Sequence, residues 1–269
     1  MRASPMNFAP MSDQTARAPY PTTEDGFLGG RLRLRQPVSG HRAGHDAVLL
    51  AAATVARPGD RVVEFGAGVG TAGLAVAARI ADLDLALVEL DPGLADLARG
   101  NAAANGIRAT AIALDVAAGA EAFAAAGLAP DSVDVVLMNP PFNDPSRHRG
   151  SPDEARQIAH VATQSTLQSW VHAARRVLKS GGELNLIWRA DGLAEVLAAL
   201  GRGFGGVALI PVHGNPNEPA IRVLVRAVKG SRAPLRIHAA LILNEASGAP
   251  TAVARAVLAG EQTLPLVLT

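Results

Sequence analysis

Apolar residues recur along this chain with two periods, and the order of those periods predicts its architecture. Short apolar runs, RVVEF (61–65), LALVEL (85–90), TAIAL (110–114), VDVVLM (133–138) and ELNLIW (183–188), read as strands. Helices lie between them. One runs from a glycine turn to about Arg79, and one is opened by Pro92 and closed at Asn105-Gly106. A long one carries Leu167, Trp170, Val171, Ala174, Val177 and Leu178 at helical spacing and ends in Lys179-Ser180-Gly181-Gly182. Strands that are apolar on both faces and alternate with helices imply a mainly parallel sheet covered on both sides. After a helix at 192–200, GVALIPV and AIRVLVRAV are joined by HGNPNEP, too short for a crossover, so this pair is antiparallel. The expected fold class is α/β.

The front of the chain follows other patterns. Residues 1–25 are rich in Pro, Ser, Thr and Asp without an apolar period, which predicts a disordered leader. In GFLGGRLRLRQPVSG (26–40), Leu32 and Leu34 alternate with Arg31, Arg33 and Arg35, giving a hairpin with one apolar and one basic face. DAVLLAAATVA follows as a helix with Asp46 as its expected cap, stopped by Pro58-Gly59. No repeat interrupts residues 26–269. They are expected as a single domain made of a hairpin and helix (26–57), a core (58–230) and a C-terminal strand and helix (231–269).

Composition narrows the function classes. With 269 residues, 49% of them hydrophobic, the chain can bury one sizeable core. Its longest apolar run, at 47–56, is about half of the roughly 20 residues a membrane span requires, and no secretory signal opens the sequence. A cytoplasmic protein without a membrane partner is expected. The absence of cysteine excludes disulfides and thiolate metal sites. A net charge of +1 leaves any nucleic-acid contact to local basic patches.

The first chemical signal is EFGAGVG, Glu64 to Gly70. Glycines at 66, 68 and 70 directly after a strand allow a tight turn and a close approach of ligand to backbone. A dinucleotide fingerprint would place glycine at 71, where Thr71 stands, which argues against a nicotinamide oxidoreductase. Glu64 is a poor neighbour for a pyrophosphate and a good one for a cationic ligand. Glu89 and Asp115 end the next two strands, where one carboxylate can accept ribose hydroxyls and the other an adenine amino group.

Taken in order, Glu64-x-Gly66-x-Gly68-x-Gly70, Glu89, Asp115 and Asn139-Pro140-Pro141-Phe142 resemble a class I S-adenosylmethionine-dependent methyltransferase over roughly residues 40–228. The resemblance implies a Rossmann-like, seven-stranded, mostly parallel sheet with one antiparallel strand and helices on both faces. It implies S-adenosyl-L-methionine as cofactor, S-adenosyl-L-homocysteine as product and no metal. Gly66 and Gly68 would lie against the methionine part, with Glu64, Ala67 and Gly70 completing the turn. Glu89 would hold the ribose, Leu90 pack on the adenine and Asp115 bind its amino group.

Asn139-Pro140-Pro141-Phe142 carries the transfer chemistry in that family. Two prolines fix φ and remove two donors, so the loop is a rigid acceptor. The resemblance implies that the Asn139 side chain and the Pro140 carbonyl accept two amino protons while Phe142, where many relatives carry Tyr, stacks on the target ring. RQPVSGHRAGHDAVLLAAA (35–53) and the C-terminal PLRIHAALILNEASGAPTAVARAV (234–257) resemble the bacterial tRNA1(Val) adenine-37 N6-methyltransferase family. A tRNA substrate is therefore expected; the sequence leaves the oligomeric state open, and a monomer is assumed. Glutamine methylation on a release factor, another nucleic-acid amine such as one in rRNA, and a non-catalytic binding module stay open beside it.

Supporting residues have two readings each. Asp46 is a helix cap or faces the cofactor's ammonium. His41, Arg42 and His45 form a surface loop or a lid. Arg147, His148 and Arg149 contact phosphates or form a solvated face, as do Arg222, Arg226, Lys229, Arg232 and Arg236. His160 and Trp170 are core or edge residues of the long helix.

Overall fold

In a computed structural model of the chain, residues 21–40, 42–141, 152–264 and 266 are described, without the side chains of 152–164. The front hairpin pairs β1 (Thr22–Phe27) with β2 (Leu32–Pro37). The strand pairing begins at Thr22, four residues inside the segment expected as a leader. Leu32 and Leu34 are fully buried while Arg33 and Arg35 are exposed, as the alternation required.

The main sheet is built from β3 (Arg61–Phe65), β4 (Asp84–Glu89), β5 (Ala109–Ala113), β6 (Val133–Met138), β7 (Leu178–Arg189), β8 (Phe204–His213) and β9 (Ala220–Lys229). Among the described residues these are the seven strands expected, and two-residue strands β10 (Arg236–Ile237) and β11 (Leu241–Ile242) extend the sheet by pairing with β8 at one edge. Its order is β10-β8-β9-β7-β6-β3-β4-β5, and β9 alone runs antiparallel to its neighbours.

Helices cover both faces. On one lie α1 (His45–Ala53), α2 (Thr71–Ala77), α3 (Pro92–Ala104) and α7 (Ala252–Leu258), whose apolar residues share a core with Leu85, Leu87, Leu137 and Leu224. On the other lie α4 (Ala120–Ala125), α5 (Pro152–Val177) and α6 (Leu193–Leu200), packed over Phe65, Val88, Met138 and Trp188. Sequence periodicity left α4 undetected because its six residues bury only Phe123.

Local chemistry sets the helix ends. Asp91 caps α3 by accepting from the Gly93 and Leu94 N–H groups, with Pro92 in its first turn. α1 stops at Ala53, short of the predicted Ala56. The Thr54 hydroxyl donates to the Leu50 carbonyl, and Arg79 Nη2 donates to the carbonyls of Ala51 and Thr54. The terminal carbonyls are thereby satisfied without another turn. At the start of α1, Gly44 occupies the cap position and Asp46 lies inside the first turn. Asp46 is therefore not the cap.

Candidate active site

Strand order brings the candidate residues together. β3 lies between β6 and β4, so the connections diverge there, and open α/β sheets bind ligands in the crevice at such a switch point. Phe65 and Met138 are Cα partners, so the glycine turn and the Asn139 loop leave the sheet side by side. Phe65 is also paired with Val88, which places Glu89 and Leu90 on the other flank.

Gly66, Gly68 and Gly70 all have left-handed φ, at 65°, 56° and 88°. The start of α2 has no side-chain cap of its own. Glu64 supplies one from β3: its Oε2 accepts from the Gly73 N–H at 2.7 Å. A Cβ at Gly73 would stand 2.9 Å from that oxygen and 2.8 Å from Leu87 Cδ2, so the close helix–sheet approach expected of a third fingerprint glycine occurs at 73. Glu64 is only 5% exposed. Burial pushes its pKa up to about 8; the Gly73 and Ala72 N–H groups oppose the rise and neighbouring Glu89 adds to it. This carboxyl buttresses α2 instead of lying open to a cation, a correction to the sequence expectation.

Glu89 grips the turn from the flank. Its Oε2 accepts from the Gly68 N–H at 2.8 Å and its Oε1 from the Asp91 N–H at 3.0 Å. Leu90, next in the chain, is 66% exposed, an apolar surface at the lip of the crevice. Asp115 is exposed after β5 and accepts from the Ala117 N–H at 2.8 Å. Asn139 is half-buried, and its enclosed Oδ1 has no partner among the described residues. The enclosed Thr71 Oγ1 is in the same condition. Pro140 is buried and Pro141 exposed. Phe142, His41, Arg147, His148, Arg149 and the His160 side chain lie outside the described residues.

Residues 42–215 match the methyltransferase small domain family. The chain belongs to that family. A solved structure from Agrobacterium tumefaciens, described as a predicted O-methyltransferase, is 34% identical with a TM-score of 0.68, covering 81% of this chain and 98% of that one. The ribosomal RNA small subunit methyltransferase C of Pseudomonas syringae pv. tomato is 32% identical over 130 residues, which are 48% of this chain and 32% of that protein. The tRNA1(Val) (adenine(37)-N6)-methyltransferase of Porphyromonas gingivalis is 28% identical over 178 residues, 64% of this chain and 68% of that one. The chain thus spans about a third of the ribosomal RNA enzyme. By that family it is a methyltransferase.

The crevice of this methyltransferase fits S-adenosylmethionine, the cofactor implied by the sequence resemblance, on its own chemistry. A left-handed glycine turn, a carboxylate, an exposed leucine and a second carboxylate follow one another along the carboxyl ends of β3, β4 and β5. Trp170 and Asn101 also belong to the site, although sequence patterns did not single them out for it. Trp170 packs against Gly66, and Asn101 Nδ2 donates to the Val69 carbonyl at 3.0 Å. The available signal for the second was a pair of asparagines, 101 and 105, four apart on an otherwise alanine-rich helix.

Other candidates are engaged elsewhere. Asp46 Oδ2 accepts from Arg222 Nε at 2.9 Å. Arg42 donates to Asp25 at 2.6 Å, to the Thr23 hydroxyl and to the Pro37 carbonyl, so it pins the hairpin and is not a free lid residue. Arg226 is buried and paired with Glu183, which overturns its reading as a solvated charge. Lys229 donates to Asp131 and to the Leu178 carbonyl, while His45, Arg232 and Arg236 are exposed. A cavity of about 80 Å³ lined by Leu28, Val48, Ala75, Arg79 and Val257 lies toward the C-terminal end of α2, away from the crevice. Among the described residues, no group of three or more His, Asp or Glu could hold a metal ion, and no helix is long and apolar enough to cross a membrane.

Proposed function

We propose that this methyltransferase modifies N6 of an adenine in transfer RNA, at a site of the tRNA1(Val) position-37 kind, in the cytoplasm. The observation that carries the reading is Asn139, whose enclosed Oδ1 has no partner among the described residues and stands at the carboxyl end of β6. A buried acceptor left unpaired costs roughly 1–3 kcal/mol, a cost that an incoming amine removes. Pro140 and Pro141 carry no N–H, so their backbone offers this amine acceptors only.

Bound S-adenosylmethionine supplies the electrophilic methyl group. Asn139 Oδ1 and the Pro140 carbonyl accept the two N6 hydrogens, which draws the nitrogen lone pair out of conjugation with the ring. Held in this way by Asn139 and Pro140, the nitrogen would take the methyl group from the cofactor, leaving S-adenosylhomocysteine, and would lose its surplus proton to solvent. Phe142 stacks on the base. Glu89 takes the cofactor's ribose hydroxyls, Leu90 covers its adenine and Asp115 receives its amino group. Gly66, Ala67, Gly68 and Gly70 line the methionine part. Two departures from the expected cofactor set follow from the geometry: Glu64 shapes the turn from behind, and Asp46 is engaged by Arg222.

Alignment along 68% of the Porphyromonas tRNA enzyme supports the tRNA substrate. Likeness to the Pseudomonas ribosomal RNA enzyme, at 32% identity, favours a second reading in which the amine belongs to a ribosomal RNA base. The test is nucleoside mass spectrometry after incubating the protein and S-adenosylmethionine with unmodified tRNA(Val) transcript, with ribosomal RNA and a release factor in parallel tubes. N6-methyladenosine in the tRNA tube is expected. Label confined to ribosomal RNA or to the release factor overturns the tRNA assignment.

A further inference from the structure

Asn101 is 2% exposed, and its amide is fully engaged. Oδ1 accepts from the Arg35 N–H at 2.8 Å, while Nδ2 donates to the Arg35 carbonyl at 3.1 Å and to the Val69 carbonyl at 3.0 Å. One helical turn later Asn105 repeats the first two contacts on Arg33, accepting from its N–H at 3.0 Å and donating to its carbonyl at 2.7 Å. Positions four apart on a helix and two apart on a strand are both separated by about 6–7 Å along their axes. The two side chains therefore serve β2 as a substitute edge strand. Of the two, Asn101 alone continues into the glycine turn, which Glu89 also holds through the Gly68 N–H.

We infer that Asn101 is a positioning residue that couples docking of the N-terminal hairpin to the conformation of the glycine turn, and through it to cofactor affinity. The inference rests on residues 66–70 being the cofactor turn. A side chain that joins both segments makes hairpin and turn order together, because releasing either leaves a buried amide group unpaired. Asn105, which holds the hairpin and the Asn101 carbonyl (from Nδ2, at 2.8 Å) but makes no contact with the glycine turn, supplies the internal control.

The experiment measures S-adenosylhomocysteine binding to the full chain by calorimetry, with amide hydrogen exchange on the same samples. Asn101→Leu is expected to weaken binding tenfold or more and to speed exchange across residues 66–70. Asn105→Leu is expected to speed exchange at Arg33 while binding stays within twofold of wild type. If Asn101→Leu does not fold, Asn101→Asp replaces it, since it keeps the acceptor for the Arg35 N–H and removes both donors. A folded Asn101 variant that binds within twofold of wild type overturns the inference, as does an equal loss in Asn105→Leu. Gly68→Val separates the two levels. If it too binds normally, the cofactor-turn reading fails; if it loses binding while the Asn101 variant does not, the positioning role alone fails.

Discussion

Gly66 lies against the indole of Trp170 so closely that a Cβ at residue 66 would stand 2.3 Å from Trp170 Cη2. The ring sits at the margin of the α5-side core and forms a floor for the glycine turn. Gly66 also has φ of 65°, a conformation that costs a residue bearing a Cβ roughly 1–2 kcal/mol. Gly66→Ala should lower S-adenosylhomocysteine affinity at least tenfold, and adding Trp170→Leu should restore part of the loss. Calorimetry on both single variants and the double variant checks this. Strictly additive losses would show that the indole is not the obstacle.

Asn139 should act on transfer and not on cofactor binding. Asn139→Ala is expected to reduce kcat by roughly two orders of magnitude or more, in the range measured when a single donor or acceptor is removed from a preorganised site. S-adenosylhomocysteine binding should remain near wild type. Parallel measurement of turnover and binding decides the matter, and an equal loss in both would refute the assigned role.

Glu89 should behave in the opposite way. Its carboxylate accepts the Gly68 and Asp91 N–H groups, so truncation removes charge-assisted bonds as well as the proposed ribose contact. Glu89→Ala should weaken cofactor binding by tenfold or more. Unchanged affinity in a folded variant would rule out the ribose assignment.

Glu64 makes stability depend on pH. Burial lifts its pKa from an ordinary 4.5 to about 8, so between these values the folded chain keeps a proton that the unfolded chain has released. Its contribution to stability is fully present below about 4.5 and is lost as pH rises through 8. Urea unfolding of wild type and Glu64→Gln across pH 5 to 9 should show the wild type losing ground to the variant as pH rises. Parallel curves would mean that Glu64 does not titrate between the two states.

Much of this protein could be read from its residues alone. Strands such as β3, β4 and β6 were legible because a parallel strand buried on both faces must be apolar throughout, and the acids Glu89 and Asp115 stood out because they end such runs. The proline pair after Asn139 was equally plain, since proline's missing N–H constrains any backbone it occupies. Tertiary structure decided what those residues touch. Glu64 looked like a ligand-facing acid, yet the approach of α2 at Gly73 encloses it as a helix cap. The end of α1 was set by Arg79, 25 residues beyond Thr54, and the brace on the turn by Asn101, 66 residues beyond Arg35. Periodicity reports which face of an element is buried, because burial follows from local spacing. Which distant side chain completes a turn depends on strand order, and that emerges only when the whole sheet assembles.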